Sequence, residues 1–141
     1  MILDTTYLLP LTRIAIDTDL LAAMARGEAD LTLGEVAISL ISIFELQAKA
    51  AKLAVPVRDT VVAVDALLTA FEVKPFYEPR IVEVGFELRR SIPDYVDCVI
   101  VATAAVMEED LVTEDSLILA NREGIREAYG IRVLTFKDIV G

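Results

Sequence analysis

The chain has 141 residues, 55% of them hydrophobic, with 23 acidic against 13 basic residues and a formal net charge of −10. That size and apolar content suit a single domain over residues 1–141 with a real core, and exclude a disordered or low-complexity chain. The charge excludes a protein that grips nucleic acid mainly through a broad basic surface.

Histidine is absent and Cys98 is the single cysteine, so there is no imidazole acid–base pair, no Ser-His-Asp triad, no His-rich zinc site and no internal disulfide. Cys98, in an apolar stretch, reads as a reduced core residue rather than a nucleophile. A cytoplasmic setting is the expectation. Residues 36–44 are too short for a membrane span and are broken by Ser39 and Ser42. Asp4 stands where a signal peptide would carry basic residues, so no export signal is expected. Carboxylates, hydroxyls and a hard cation remain as catalytic means.

In chain order, Ile2-Leu3 is a minimal strand ending in Asp4-Thr5-Thr6, where Asp4 or Thr5 could equally cap a following helix. Asp17-Thr18-Asp19 opens a short helix through Leu20, Leu21, Ala23 and Met24 that stops near Gly27. Gly34 precedes a buried strand at Val36-Ala37-Ile38, and Ser39 caps a helix over residues 40–53. Glu45 lies early in that helix, on a face with Ile41, Ser42 and Lys49. Alone, it reads as a solvated residue paired with Lys49 at i+4. After Pro56, residues 57–70 repeat helical spacing through Val61, Val64, Leu67 and Leu68, and Phe71-Glu72-Val73 forms a third strand. A helix from Pro79 finishes in Arg89-Arg90, cations that suit a helix C-terminus and could also touch phosphate.

Residues 92–117 organise the rest. Pro93 marks a helix entrance, and Asp97 shares an inward stripe with Ile100, Val101 and Ala104. A carboxylate there is costly without a partner or a cation. The acidic turn Glu108-Glu109-Asp110 leads into the strand Leu111-Val112-Thr113, followed by Glu114, a solvated neighbour, and Asp115. A helix over residues 122–129 stops at Gly130, and residues 131–136 form the last strand. Strands alternating with helices, without hairpin signals, predict a parallel sheet covered on both faces.

Asp4, Glu45, Asp97 and Asp115 would then lie near one edge, above the strand C-termini, where ligands bind in such sheets. Four converging carboxylates repel unless cations are bound, and oxygen-only ligands select Mg2+ or Mn2+.

These residues resemble the PIN-domain nucleases. ILDTTYLL is similar to that family's first motif, and ISLISIFEL to its second, with Ser39 ahead of Glu45. YVDCVIVATA around Asp97 resembles the third, and LVTED, ending in Asp115, the fourth. The resemblance implies a three-layer α/β/α sandwich with a central parallel sheet. It implies a Mg2+- or Mn2+-dependent ribonuclease acting on RNA, of the VapC toxin type, neutralised by an antitoxin. Asp4, Glu45, Asp97 and Asp115 would be the catalytic metal ligands, with Thr5, Thr6 and Thr113 as supporting hydroxyls. Many relatives carry another acid two residues after the fourth, where this chain has Leu117. Asp94, one turn before Asp97, is a further candidate ligand, its ordinary role being a helix N-terminal charge in a capping box with Ser91. Arg13, Lys49, Lys52 and Arg89 are candidate RNA contacts. A homodimer is expected through Leu20, Leu21, Met24 and the helix at residues 57–68.

Two other readings compete. One is a PIN domain kept as a binding or scaffold module with weak or no catalysis. The other is a receiver-type phosphoacceptor, which needs an acidic pair after its first strand and a late-strand lysine. Here a single Asp4 is followed by threonines, and Lys137 lies beyond the last strand.

Overall fold

The computed structural model describes residues 1–141. Five strands form the sheet: β1 (Ile2–Leu3), β2 (Ala37–Ser39), β3 (Glu72–Lys74), β4 (Leu111–Val112) and β5 (Val133–Leu134), in the order β3-β2-β1-β4-β5. Every pairing is parallel, and Ile2 sits opposite both Ala37 and Leu111. Eight helices surround it: α1 (Leu20–Ala25), α2 (Leu40–Lys52), α3 (Val57–Ala70), α4 (Pro79–Leu88), α5 (Tyr95–Met107), α6 (Ser116–Ala120), α7 (Arg122–Tyr129) and α8 (Phe136–Ile139).

Alternation along each strand divides the interior into two cores. Ile2, Ala37 and Leu111 point to one face, where they pack with Ile81, Val84 and Leu88 of α4, much of α5, and Ile118 and Ile125. Leu3, Ile38 and Val112 point to the other, packing with Tyr7, Leu8, Leu20, Leu46 and Leu67. The result is the three-layer α/β/α sandwich expected from the element order. Strands this short stay parallel and register-fixed because both faces are buried, so a one-residue slip would exchange the two cores.

Several local expectations need correction. Cys98 to Ala105 of α5 are all buried, so the helix is enclosed on every side and has no single inward stripe. Pro93 lies ahead of that helix, which Asp94 caps by accepting a 2.8 Å bond from Val96 N, with no capping box to Ser91. The last strand is confined to Val133–Leu134, because a reciprocal Thr135–Asp138 capping box starts α8 at Phe136. Asp115 starts α6, an element too short to show in the apolar periodicity. Leu20 is wholly buried, so it belongs to the core and is not available to a dimer surface.

Candidate active site

The order β3-β2-β1-β4-β5 winds outward from β1 in both directions, so the crossovers leave a crevice above the C-terminal ends of β1 and β4. Asp4 follows β1 and Thr113 follows β4. Asp4 is 5% exposed, and both its oxygens are held: Oδ1 accepts from Thr5 N at 2.7 Å and Oδ2 from Thr113 Oγ1 at 2.6 Å. Asp4 thus occupies the end of the strand and also caps the following 3-10 helix at Thr5–Thr12. Burial raises its pKa against the lowering effect of those two bonds. Nearby Glu45 raises it further, while the Lys49 ammonium lowers it.

Thr113 Oγ1 also accepts from Asp115 N at 3.0 Å, so one buried hydroxyl joins the two acids. Asp115 in turn caps α6, its Oδ1 accepting from Leu117 N at 3.0 Å and Ile118 N at 2.9 Å. That leaves Oδ2 without a hydrogen bond from the chain.

From the other walls, α2 brings Glu45 and α5 brings Asp97 in its first turn, both half-buried. The Asp97 carboxyl is pushed up to about 7, first by burial and then by the charges of Asp115, Asp4, Asp94 and Glu45. Acids from four separate elements therefore act on one carboxylate. No group of three or more acidic, Cys or His side chains is drawn in tightly enough to form a ready-made metal cage. The donor set still suits a hard cation: carboxylate and hydroxyl oxygens only, one carboxylate raised by burial and then by crowding of like charge.

Among the supporting hydroxyls, Thr5 Oγ1 donates to Ser42 Oγ at 3.0 Å, both buried, tying the residue after Asp4 to α2 one turn before Glu45. Thr6 makes no side-chain hydrogen bond within this network. Ser42 belongs to no motif of its own, and its i, i+3 relation to Glu45 is the one signal for it in the sequence. Glu114 is not a solvated neighbour: Oε2 accepts from the hydroxyl of fully buried Tyr7 and from Phe136 N at 2.8 Å. It joins the segment after β4 to the 3-10 helix and to α8.

Lys49 makes no ion pair with Glu45, contrary to the i, i+4 reading, and its charge is felt at Asp4 instead. Arg13 approaches Asp59 at 3.7 Å, and Lys52 ends α2 in solvent. Cys98 is buried and donates to Ile92 O at 3.3 Å, consistent with a packing role.

A family model of the PIN domain matches residues 1–122. No curated protein matches the chain. Among solved structures, the fold is similar to a toxin–antitoxin complex from Klebsiella pneumoniae, at 24% identity over 82% of this chain and 86% of that one, with a TM-score of 0.62. It is also similar to FitAcB from Neisseria gonorrhoeae, at 21% identity over 98% and 99% of the two chains, with a TM-score of 0.66. A third is VapBC2 from Rickettsia felis, bound to a DNA fragment from its promoter, at 18% identity over 95% and 96%, with a TM-score of 0.63. With the family model spanning β1 to the start of α7, the chain belongs to the PIN domain family, whose members are generally nucleases.

Proposed function

We propose that this chain is an endoribonuclease dependent on Mg2+ or Mn2+, acting as the toxin of a toxin–antitoxin pair. The observation that carries the reading is geometric: buried Thr113 joins Asp4 after β1 to Asp115 after β4, and half-buried Asp97 is crowded by these acids. Such crowding is relieved by a bound cation, and oxygen-only donors select a hard one.

In this reading Asp4, Glu45, Asp97 and Asp115 hold the ion directly or through water, with Asp94 Oδ2 as a further donor. When bound, the ion supplies an activated water and charge neutralisation at the leaving 3′ oxygen. The chain's own part is positioning. Thr113 and Thr5 N fix Asp4, Thr113 Oγ1 orients the Asp115 backbone, and the Thr5–Ser42 bond fixes α2 and hence Glu45. Preset donors of this kind avoid reorganisation during the reaction.

An antitoxin partner is proposed because the similar folds include one described as a toxin–antitoxin complex. A homodimer is proposed through the outer face of α3, where Val57, Val61, Val62 and Leu68 are exposed. A single domain and a cytoplasmic setting complete the reading. The unpaired Cys98 fits that setting, and no helix is long and apolar enough to cross a membrane.

The test is cleavage of mixed single-stranded RNA by the wild type and Asp97→Asn, with Mn2+, with Zn2+ and with excess chelator. Cleavage is expected with Mn2+ only, and to drop by orders of magnitude in the variant. Undiminished cleavage in chelator would overturn the metal dependence. Metal binding without any cleavage would leave a binding module instead.

A further inference from the structure

Where α4 meets the N-terminal end of α5 stands an aromatic pair that packing does not require. Phe86 near the end of α4 and Tyr95 at the start of α5 meet edge to face, with ring centroids 5.8 Å apart and planes at 85°. Phe86 is 67% exposed and Tyr95 41% exposed, so the pair lies outside both cores. The Tyr95 ring packs over buried Gly85, where a Cβ would stand at ordinary contact distance, 3.4 Å from the Tyr95 hydroxyl. In an edge-to-face pair the ring presenting its edge keeps its own faces free.

Two further observations say what covers those faces. Arg89 and Arg90 directly follow α4, both exposed, and neither pairs with a carboxylate. Arg89 lies three residues beyond Phe86, on the same side of the chain's turn. In a chain of net charge −10, these are two exposed arginines without an ion pair, next to exposed aromatic rings, although Glu87 and Asp94 also flank the pair. Tyr95 and Asp97 both lie in the first turn of α5, the end of the helix that the crevice acids reach, although two positions apart they leave the helix on different sides.

We propose that Phe86 and Tyr95 form a stacking platform for an unpaired base of single-stranded RNA, with Arg89 and Arg90 taking the adjoining phosphates. Stacking is sequence-tolerant and independent of surface charge, which suits an acidic protein whose substrate is a polyanion. A base seated there fixes the strand at the end of α5 that carries Asp97. This platform rests on the ribonuclease reading, although its test is separate from cleavage.

The experiment is fluorescence anisotropy of a labelled oligouridylate in low salt with chelator, alongside the same oligonucleotide carrying abasic residues. Phe86→Ala and Tyr95→Ala are each expected to weaken oligouridylate binding on the order of ten-fold. Tyr95→Phe should retain it, and the abasic strand should bind all the proteins equally weakly. Thermal unfolding of each variant checks that the exposed substitutions leave the fold intact, and Phe86→Leu tests loss of stacking with apolar contact kept. Unchanged affinity in both alanine variants overturns the platform, whether or not the protein cleaves RNA. So does a wild type that binds no single strand, or variants that only convert a dimer to a monomer. A wild type that binds through the pair yet cleaves nothing with Mn2+ overturns the ribonuclease reading alone.

Discussion

Thr113 Oγ1 donates to Asp4 Oδ2 at 2.6 Å, a buried bond between residues 109 apart in sequence. It joins the C-terminal ends of β1 and β4 and gives Asp4 one of its two partners. Replacing Thr113 by Val keeps the shape but removes that donor and the acceptor for Asp115 N. The loss is expected to cost about 1–3 kcal/mol, because Asp4 and the Asp115 amide lose partners in a site water reaches poorly. Thr113→Ser should recover most of it. Urea unfolding in chelator measures both, and a neutral Thr113→Val would show that the bond is incidental.

Asp97 offers a pH test with a definite sign. Its folded pKa is raised from 3.8 to about 7, so the folded state holds a proton that the unfolded chain has already released. The stability associated with this group is present in full below about pH 4 and is lost as pH rises toward about 7. Asp97→Asn cannot titrate there. In chelator its stability should therefore decline less than the wild type's across that window, and should equal or exceed it at pH 8. Millimolar Mg2+ should stabilise the wild type by mass action and the variant much less. Melting temperatures of both proteins across pH, with chelator and with Mg2+, check this. A variant less stable in chelator at pH 8, yet gaining as much from Mg2+ as the wild type, would make Asp97 structural.

The Tyr7–Glu114 contact predicts a coupled pair. Glu114→Ala leaves the buried Tyr7 hydroxyl and Phe136 N without their acceptor, and about 2 kcal/mol or more should be lost. Tyr7→Phe should cost only about 1 kcal/mol, since Glu114 keeps Phe136 N. A double-mutant cycle should return a coupling above about 0.5 kcal/mol, and additive effects would deny the contact.

The outer face of α3 is the proposed dimer surface, with Val61 at 53% and Leu68 at 56% exposure. Val61→Glu combined with Leu68→Glu should leave the melting temperature of the fold nearly unchanged while converting a dimer to a monomer by light scattering. A wild type already monomeric at micromolar concentration would remove the premise.

Sequence alone determined the strands, the longer helices and the layer architecture here, because those follow from local rules. The buried runs at Ile2-Leu3, Val36-Ala37-Ile38 and Leu111-Val112, alternating with helical spacing, leave little choice but a covered parallel sheet. Ser39 capping α2 and Gly130 ending α7 in the left-handed region are likewise one-residue signals, and the structure has both. The acids that could share a crevice were legible as positions after strands and early in helices. The tertiary structure decided what each of them touches. Glu114 seemed solvated because nothing near it in sequence reveals Tyr7, 107 residues away, and Lys49 seemed Glu45's partner because spacing cannot show the pull of Asp4. The Phe86–Tyr95 pair exists only because the fold packs α4 against α5, which no local signal in the sequence reveals. Propensity and periodicity act over one or two turns of chain, whereas burial, charge crowding and long-range hydrogen bonds depend on which elements the folded sheet makes neighbours.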